Sequence, residues 1–184
     1  MPKYGGKEIA AAFRTVRKNT IQIAEDIPES KYGFKATPDT RSIAQTLAHI
    51  ACAPEFAFYI HGEKVSDMAK VNFPEIFEKI TAEESKARNK AEIIALLKTQ
   101  GDRYASLVDG FPDSFLDEVL TMPPGGSPAT RTRFDMLLAP KEHEMHHRGQ
   151  LMLLERLVGV VPHLTRQRQE QQAARAQAAQ TQKK

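Results

Sequence analysis

The 184 residues carry 26 Lys and Arg against 23 Asp and Glu, a formal net charge of +3, with 41% hydrophobic residues and one cysteine. That length fits one domain able to bury a full core, and a single cysteine excludes an internal disulfide and agrees with a reducing cytoplasm. No apolar run approaches a membrane span, and the opening Met1-Pro2-Lys3-Tyr4-Gly5-Gly6 lacks the apolar centre of a signal peptide.

Four long helical patterns and little that reads as strand predict an all-α fold. The first runs from about Lys7 to Ile27, with Ile9, Phe13, Val16, Thr20, Ile23 and Ile27 on one face, and Pro28 stops it. The second, about Thr40 to Ile60, closes at His61-Gly62 and contains Pro54, which predicts a kink one turn after His49. Ser42, Thr46, His49, Ala53, Phe56 and Ile60 recur at steps of three and four, so His49 points inward. Between the second and third patterns, Asn72 to Ile80 reads as a short extra helix capping one end of a bundle. The third pattern, about Ala91 to Asp109, buries Ile93, Leu97, Tyr104 and Val108 and ends at Gly110.

Met122-Pro123-Pro124-Gly125-Gly126-Ser127-Pro128 excludes regular structure and reads as a loop crossing near the mouth of a site. The fourth pattern reaches Gly159, and Pro140 either starts it or bends it. Residues 1–164 are expected to form the bundle. Residues 165–184, rich in Gln and Ala, hold Arg166, Arg168, Arg175, Lys183 and Lys184 against Glu170 and read as a basic tail, a frayed helix or disordered.

The chemistry concentrates in the fourth helix, where Lys141-Glu142-His143-Glu144-Met145-His146-His147-Arg148-Gly149-Gln150 holds three of the six histidines. His143 and His147 are i and i+4, so their rings leave one helix face together, in a ladder with Met136, Pro140, Leu151, Leu154 and Val158. Two inward imidazoles need hydrogen-bonding groups or a metal. With His49 as a third ligand the set becomes three histidines around a divalent ion, and the position left over for water or substrate is the mark of a catalytic rather than a closed structural site.

The neighbouring residues keep two readings each. Glu144 is a candidate catalytic group or an acceptor orienting an imidazole, against a solvated charge. Gln150, nearly in line with His143, is a candidate at the open coordination position, against a polar residue at the bundle edge. Cys52 is a packing residue or a fourth, soft ligand. His146 lies off the ligand face in an interface or a hydrogen bond, and His61 and His163 read as helix caps or exposed residues.

Ile27-Pro28-Glu29, Pro38-Asp39-Thr40-Arg41-Ser42-Ile43, Thr46-Leu47-Ala48-His49-Ile50 and the run His143 to Gln150 ahead of Gly159-Val160-Val161-Pro162 together resemble the DinB-like family of DNA-damage-inducible metalloenzymes. The resemblance spans most of the chain up to Pro162. It implies a four-helix bundle, often a homodimer, with a divalent metal, zinc or nickel, held by three histidines, which fall by position on His49, His143 and His147. It also implies, from some relatives, transfer of a low-molecular-weight thiol to a small electrophile. Pro140 and the basic tail depart from the family pattern.

Two further function classes stand beside that one: a metal-binding stress-response bundle without turnover, and association with DNA through the tail. The second rests on a short run without aromatic residues, which gives only weak, salt-sensitive attraction to phosphates. His143-Glu144-Met145-His146-His147 also matches the zinc-peptidase pattern with Glu144 as general base, but Gln150 and Leu153 stand where an extended peptidase motif needs Gly and His.

Overall fold

A computed structural model describes residues 4–181, so Met1, Pro2 and Lys3 of the opening and Gln182, Lys183 and Lys184 of the tail lie outside the described residues. Its four bundle helices are α1 (Gly6–Asp26), α2 (Ile43–Cys52), α5 (Lys90–Asp109) and α7 (Arg133–Leu157). Around them lie α3 (Glu55–Ala57), α4 (Phe73–Glu84), α6 (Asp113–Leu116) and α8 (His163–Thr181). α1 and α2 sit diagonally, each flanked by α5 and α7, which makes a four-helix bundle. Among the described residues no helix is long and apolar enough to cross a membrane.

Local chemistry sets the ends of these helices. Ser42 accepts the Gln45 N–H while the Gln45 side chain accepts the Ser42 N–H, so α2 starts at Ile43 and not near Thr40. Thr40 instead folds back on Thr37. Pro54, which has no N–H to donate, divides the second expected helix into α2, the single turn α3 and a π-helical turn over Phe58–Gly62. α7 begins at Arg133, where the Thr132 hydroxyl accepts the Asp135 N–H, and it continues through Pro140, which settles that ambiguity. α4 extends four residues past the expected Ile80, to Glu84.

The Pro/Gly-rich stretch is the loop of a two-stranded antiparallel hairpin, β1 (Val119–Thr121) and β2 (Thr130–Thr132). One register pair joins Leu120 to Arg131. Leu120 buries its side chain with Ile60, Met68 and Met136, which fixes the hairpin on the bundle. α8 is held by polar contacts at its start: His163 bonds Asn19 and Arg166 pairs with Asp26, while the helix from Gln167 onward is exposed.

The bundle interior has two apolar halves. Ile23, Ile27, Leu47, Ile93, Leu97 and Leu151 form one, and Ile9, Phe13, Tyr104, Val108, Leu116 and Leu137 form the other. Between them lies a buried ion pair, Arg17 of α1 with Glu144 of α7. Arg17 Nε donates to both Glu144 carboxylate oxygens at 3.0 Å, and its two terminal nitrogens donate to Leu97 O and Ile50 O, so one side chain ties all four bundle helices. Gly101 gives that stem its room: a Cβ there would meet Arg17 Cγ at 2.8 Å.

Candidate metal centre

α2 presents His49 from its last turn, and α7 presents His143 and His147 one turn apart. α2 packs directly on α7, so the three rings meet. His49 Nε2 lies 3.0 Å from His143 Nε2, and His147 Nε2 lies 3.2 Å from the same atom. One ligand atom from each of the three residues falls within 4.8 Å of the others.

The hydrogen bonds on the far sides of the rings determine where the protons sit. His49 Nδ1 is 2.8 Å from Glu84 Oε1, and an ionised carboxylate only accepts, so the proton is on Nδ1 and the Nε2 lone pair faces inward. His147 Nδ1 is 2.8 Å from Gln150 Oε1, and Gln150 Nε2 donates in turn to His146 at 3.2 Å, so His147 is placed the same way. Both bare nitrogens point at His143 Nε2. A proton there satisfies one of them at most and leaves His143 Nδ1, which is buried with no described partner, unsatisfied.

A divalent cation resolves this opposition of lone pairs. Zinc bonds to imidazole of about 2.0–2.1 Å imply a tetrahedral nitrogen–nitrogen edge of about 3.3–3.4 Å, close to the two separations found here. The protonation states agree with that chemistry. Burial, helped by the neighbouring His147 and His49 and by Arg41, pushes His143 down to about 4. Burial also lowers His147, against an opposing contribution from Gln150. Both rings are therefore neutral near pH 7, as metal ligands must be.

Glu84 and Gln150 thus act one layer out from the cluster, as acceptors that fix ring orientation. Gln150, expected at an open coordination position or as a polar residue at the bundle edge, is exposed and sets its Oε1 behind His147. Glu84 had no signal in the sequence, because it comes from the last turn of a helix expected to stop at Ile80.

The structure corrects the reading of Glu144. It is neither a solvated charge nor an acceptor for an imidazole: it is 1% exposed and both of its oxygens are taken by Arg17. It is therefore not free to serve as a general base, which a peptidase reading of His143 to His147 would need. Cys52 packs against Ile76 and Ile80 outside the three-histidine group, and burial raises its thiol to about 11. His61 and His163, expected as caps or exposed, are both buried, His61 beside Arg133 and His163 at the first turn of α8.

Clefts reach the cluster from more than one side. A cleft of about 420 Å3 is lined by His49 and His143 and walled by Phe56, Phe77, Ile80 and Met136. Arg131 of β2 also lines it, while the loop from Met122 to Pro128 does not. A second, of about 620 Å3, reaches His147 and Gln150.

With this geometry in hand, the comparisons agree on the fold. The model of the DinB superfamily matches residues 12–151. No curated protein sequence matches the chain. The solved structure of a DinB-like protein from Bacillus subtilis is 20% identical with a TM-score of 0.62, covering 83% of this chain and 92% of that one. YfiT from Bacillus subtilis, described as a probable metal-dependent hydrolase with an unusual four-helix bundle topology, is 15% identical with a TM-score of 0.64, covering 87% and 91%. An uncharacterised protein from Clostridium difficile 630 is 16% identical with a TM-score of 0.61, covering 86% and 99%.

Proposed function

Because the chain belongs to the DinB superfamily, we propose that it is a cytoplasmic metal-dependent enzyme that transfers a low-molecular-weight thiol to a small electrophile, with His49, His143 and His147 as the ligands of a zinc or nickel ion. The convergence of three Nε2 atoms, two of them oriented from behind by Glu84 and Gln150, carries this reading. A divalent cation at that point would lower the pKa of a thiol or water reaching it and so supply a nucleophile near neutral pH.

The protein's own residues do the rest. Glu84 and Gln150 hold the imidazoles in the tautomer that offers Nε2. Phe56, Phe77, Ile80 and Met136 give the cleft an apolar wall that receives the electrophile and excludes water. The locked Glu144 supports a nucleophile activated without a neighbouring general base, as a thiol of modest pKa is. The reading extends to a homodimer, for which the exposed Met145, Leu153 and Leu157 on the outer face of α7 provide an apolar strip.

A second reading, metal-dependent hydrolysis of a small molecule, is supported by the likeness to YfiT. The two differ in whether turnover needs an added thiol.

The test is elemental analysis of untagged protein purified without chelator, beside the triple variant His49→Ala/His143→Ala/His147→Ala. About one zinc or nickel per chain, lost in the variant, is expected. Full metal content in the triple variant, or none in the wild type after reconstitution with both ions, would overturn the site. Turnover of electrophiles only when a thiol is supplied then separates transfer from hydrolysis.

A further inference from the structure

Arg41 stands at the meeting point of the clefts around the histidine cluster. It lines the cleft of about 420 Å3 with His49 and His143, the cleft of about 620 Å3 with His147 and Gln150, and a third of about 650 Å3 that reaches Glu84. No other described residue lines all three. Its backbone is fixed on both sides, before it by the Thr40 N–H, which donates to Thr37 O at 3.2 Å. Ser42, the next residue, is locked in the reciprocal cap with Gln45, and Ile43 N–H donates to Phe34 O at 3.1 Å.

The side chain, in contrast, is uncommitted. Arg41 is exposed and makes no hydrogen bond or ion pair with any described residue. The other two arginines lining these clefts are occupied: Arg88 holds Glu83 and Arg131 holds Asp135. The acids that line these clefts each have one oxygen engaged, Asp39 with the Thr37 hydroxyl at 2.6 Å and Glu84 with His49 at 2.8 Å. A guanidinium with no partner among the described residues, on a pinned backbone beside an apolar cleft, has the form of a ligand contact. Its planar fork matches the two oxygens of a carboxylate or phosphate.

We propose that Arg41 binds the anionic head of the small molecule that acts at the histidine cluster, so that this molecule carries a carboxylate or phosphate and lays an apolar body against Phe56, Phe77, Ile80 and Met136. The proposal rests on the metal-dependent reading above for its meaning in turnover, but the binding itself depends on Arg41 and the cleft. It makes Arg41 a positioning and specificity residue.

Three probes that share an aromatic body and differ in the head group test this: benzyl alcohol, benzoate and phenyl phosphate. Each is titrated by NMR into the full chain, metal-free and zinc-loaded. In the wild type, one or both anions are expected to bind roughly 10-fold or more tighter than the alcohol in both forms, the advantage of a charge-assisted contact partly open to water. Which anion is preferred distinguishes carboxylate from phosphate. In Arg41→Met the anion-to-alcohol ratio falls to about 1, and Arg41→Lys keeps part of it, because a point charge replaces the fork.

No preference in the wild type, or a preference that survives in Arg41→Met, overturns the proposal. An anion preference that appears only with zinc and survives in Arg41→Met would put the anion on the metal. Failure of zinc to bind would overturn the metal-dependent reading and leave the metal-free titration to decide on Arg41, so the two failures are distinguishable.

Discussion

His143 and Glu144 are adjacent on α7, yet they belong to polar clusters of opposite kinds. Glu144 turns to the bundle axis and meets Arg17, and this layer is closed: both carboxylate oxygens and all three guanidinium nitrogens have partners, and the charges match. His143 turns toward α2 and meets two imidazoles whose bare nitrogens both face its one Nε2, and this cluster is open, both to a cation and to the clefts beside it. One layer ties the helices together, while the other holds its groups in an arrangement that only an added charge completes. The two differ in whether the polar atoms balance.

The largest effect should come from unbalancing the closed layer. Arg17→Met leaves the Glu144 carboxylate buried without a counter-charge, and urea unfolding should show a loss of about 3–5 kcal/mol. Arg17→Met/Glu144→Leu should recover most of it, since the charge and its penalty leave together. In metal-free protein His143→Leu should cost little or stabilise, because it removes an opposition of lone pairs instead of a matched pair. A mild Arg17→Met, or a metal-free His143→Leu as damaging as that variant, would break the comparison.

Glu155 sharpens it with a third case, a buried carboxyl with neither matched charge nor converging partners. It is 0% exposed and neither of its oxygens has a partner among the described residues. Burial, with Asp26 adding to it and Arg166 and Arg156 opposing, pushes it up to about 7. A carboxyl raised above its unfolded value of 4.5 contributes stability that is fully present below about 4.5 and is lost as pH rises through about 7. Glu155→Gln keeps the neutral form at every pH. Relative to wild type it should therefore gain little at pH 4.5 and up to about 3 kcal/mol by pH 8. A stability difference between the two that does not change across that window would mean that the carboxyl finds a partner in solution.

Much of the open cluster was legible in the sequence, because its histidines obey helical periodicity. His143 and His147 are one turn apart on the stripe that holds Leu151 and Leu154, and His49 shares a stripe with Thr46. A disturbance at Pro54, expected as a kink and found as a division of the helix, and the ends of α1 and α5 were legible for the same local reasons. The closed layer was not. Arg17 follows Val16 on the buried side of α1, but a charge there reads as a neighbour of the stripe until a carboxylate 127 residues away is brought to it. Glu84 was hidden for a related reason, since nothing in Ala82-Glu83-Glu84-Ser85 distinguishes one acid from the next until α4 is laid across α2. The hairpin strands are three residues each, too short for alternation to register. Periodicity reports which residues share a face, whereas charge pairing across elements depends on tertiary placement.

The smallest effects lie in the groups behind the imidazoles, where Glu84 and Gln150 do the same task with different strength. Glu84 gives His49 a charged acceptor, which both fixes the tautomer and raises the basicity of Nε2, so Glu84→Gln should weaken zinc affinity by about 10–100-fold. Gln150 gives His147 a neutral acceptor and spends its amide N–H on His146, so Gln150→Leu removes a contact worth only about 0.5–1.5 kcal/mol, or roughly 3–10-fold in affinity. Competition with a chromogenic chelator measures both. Equal losses would mean that only ring orientation matters, whereas the larger loss at Glu84 would mean that its negative charge is part of the site, offsetting the charge of the bound cation.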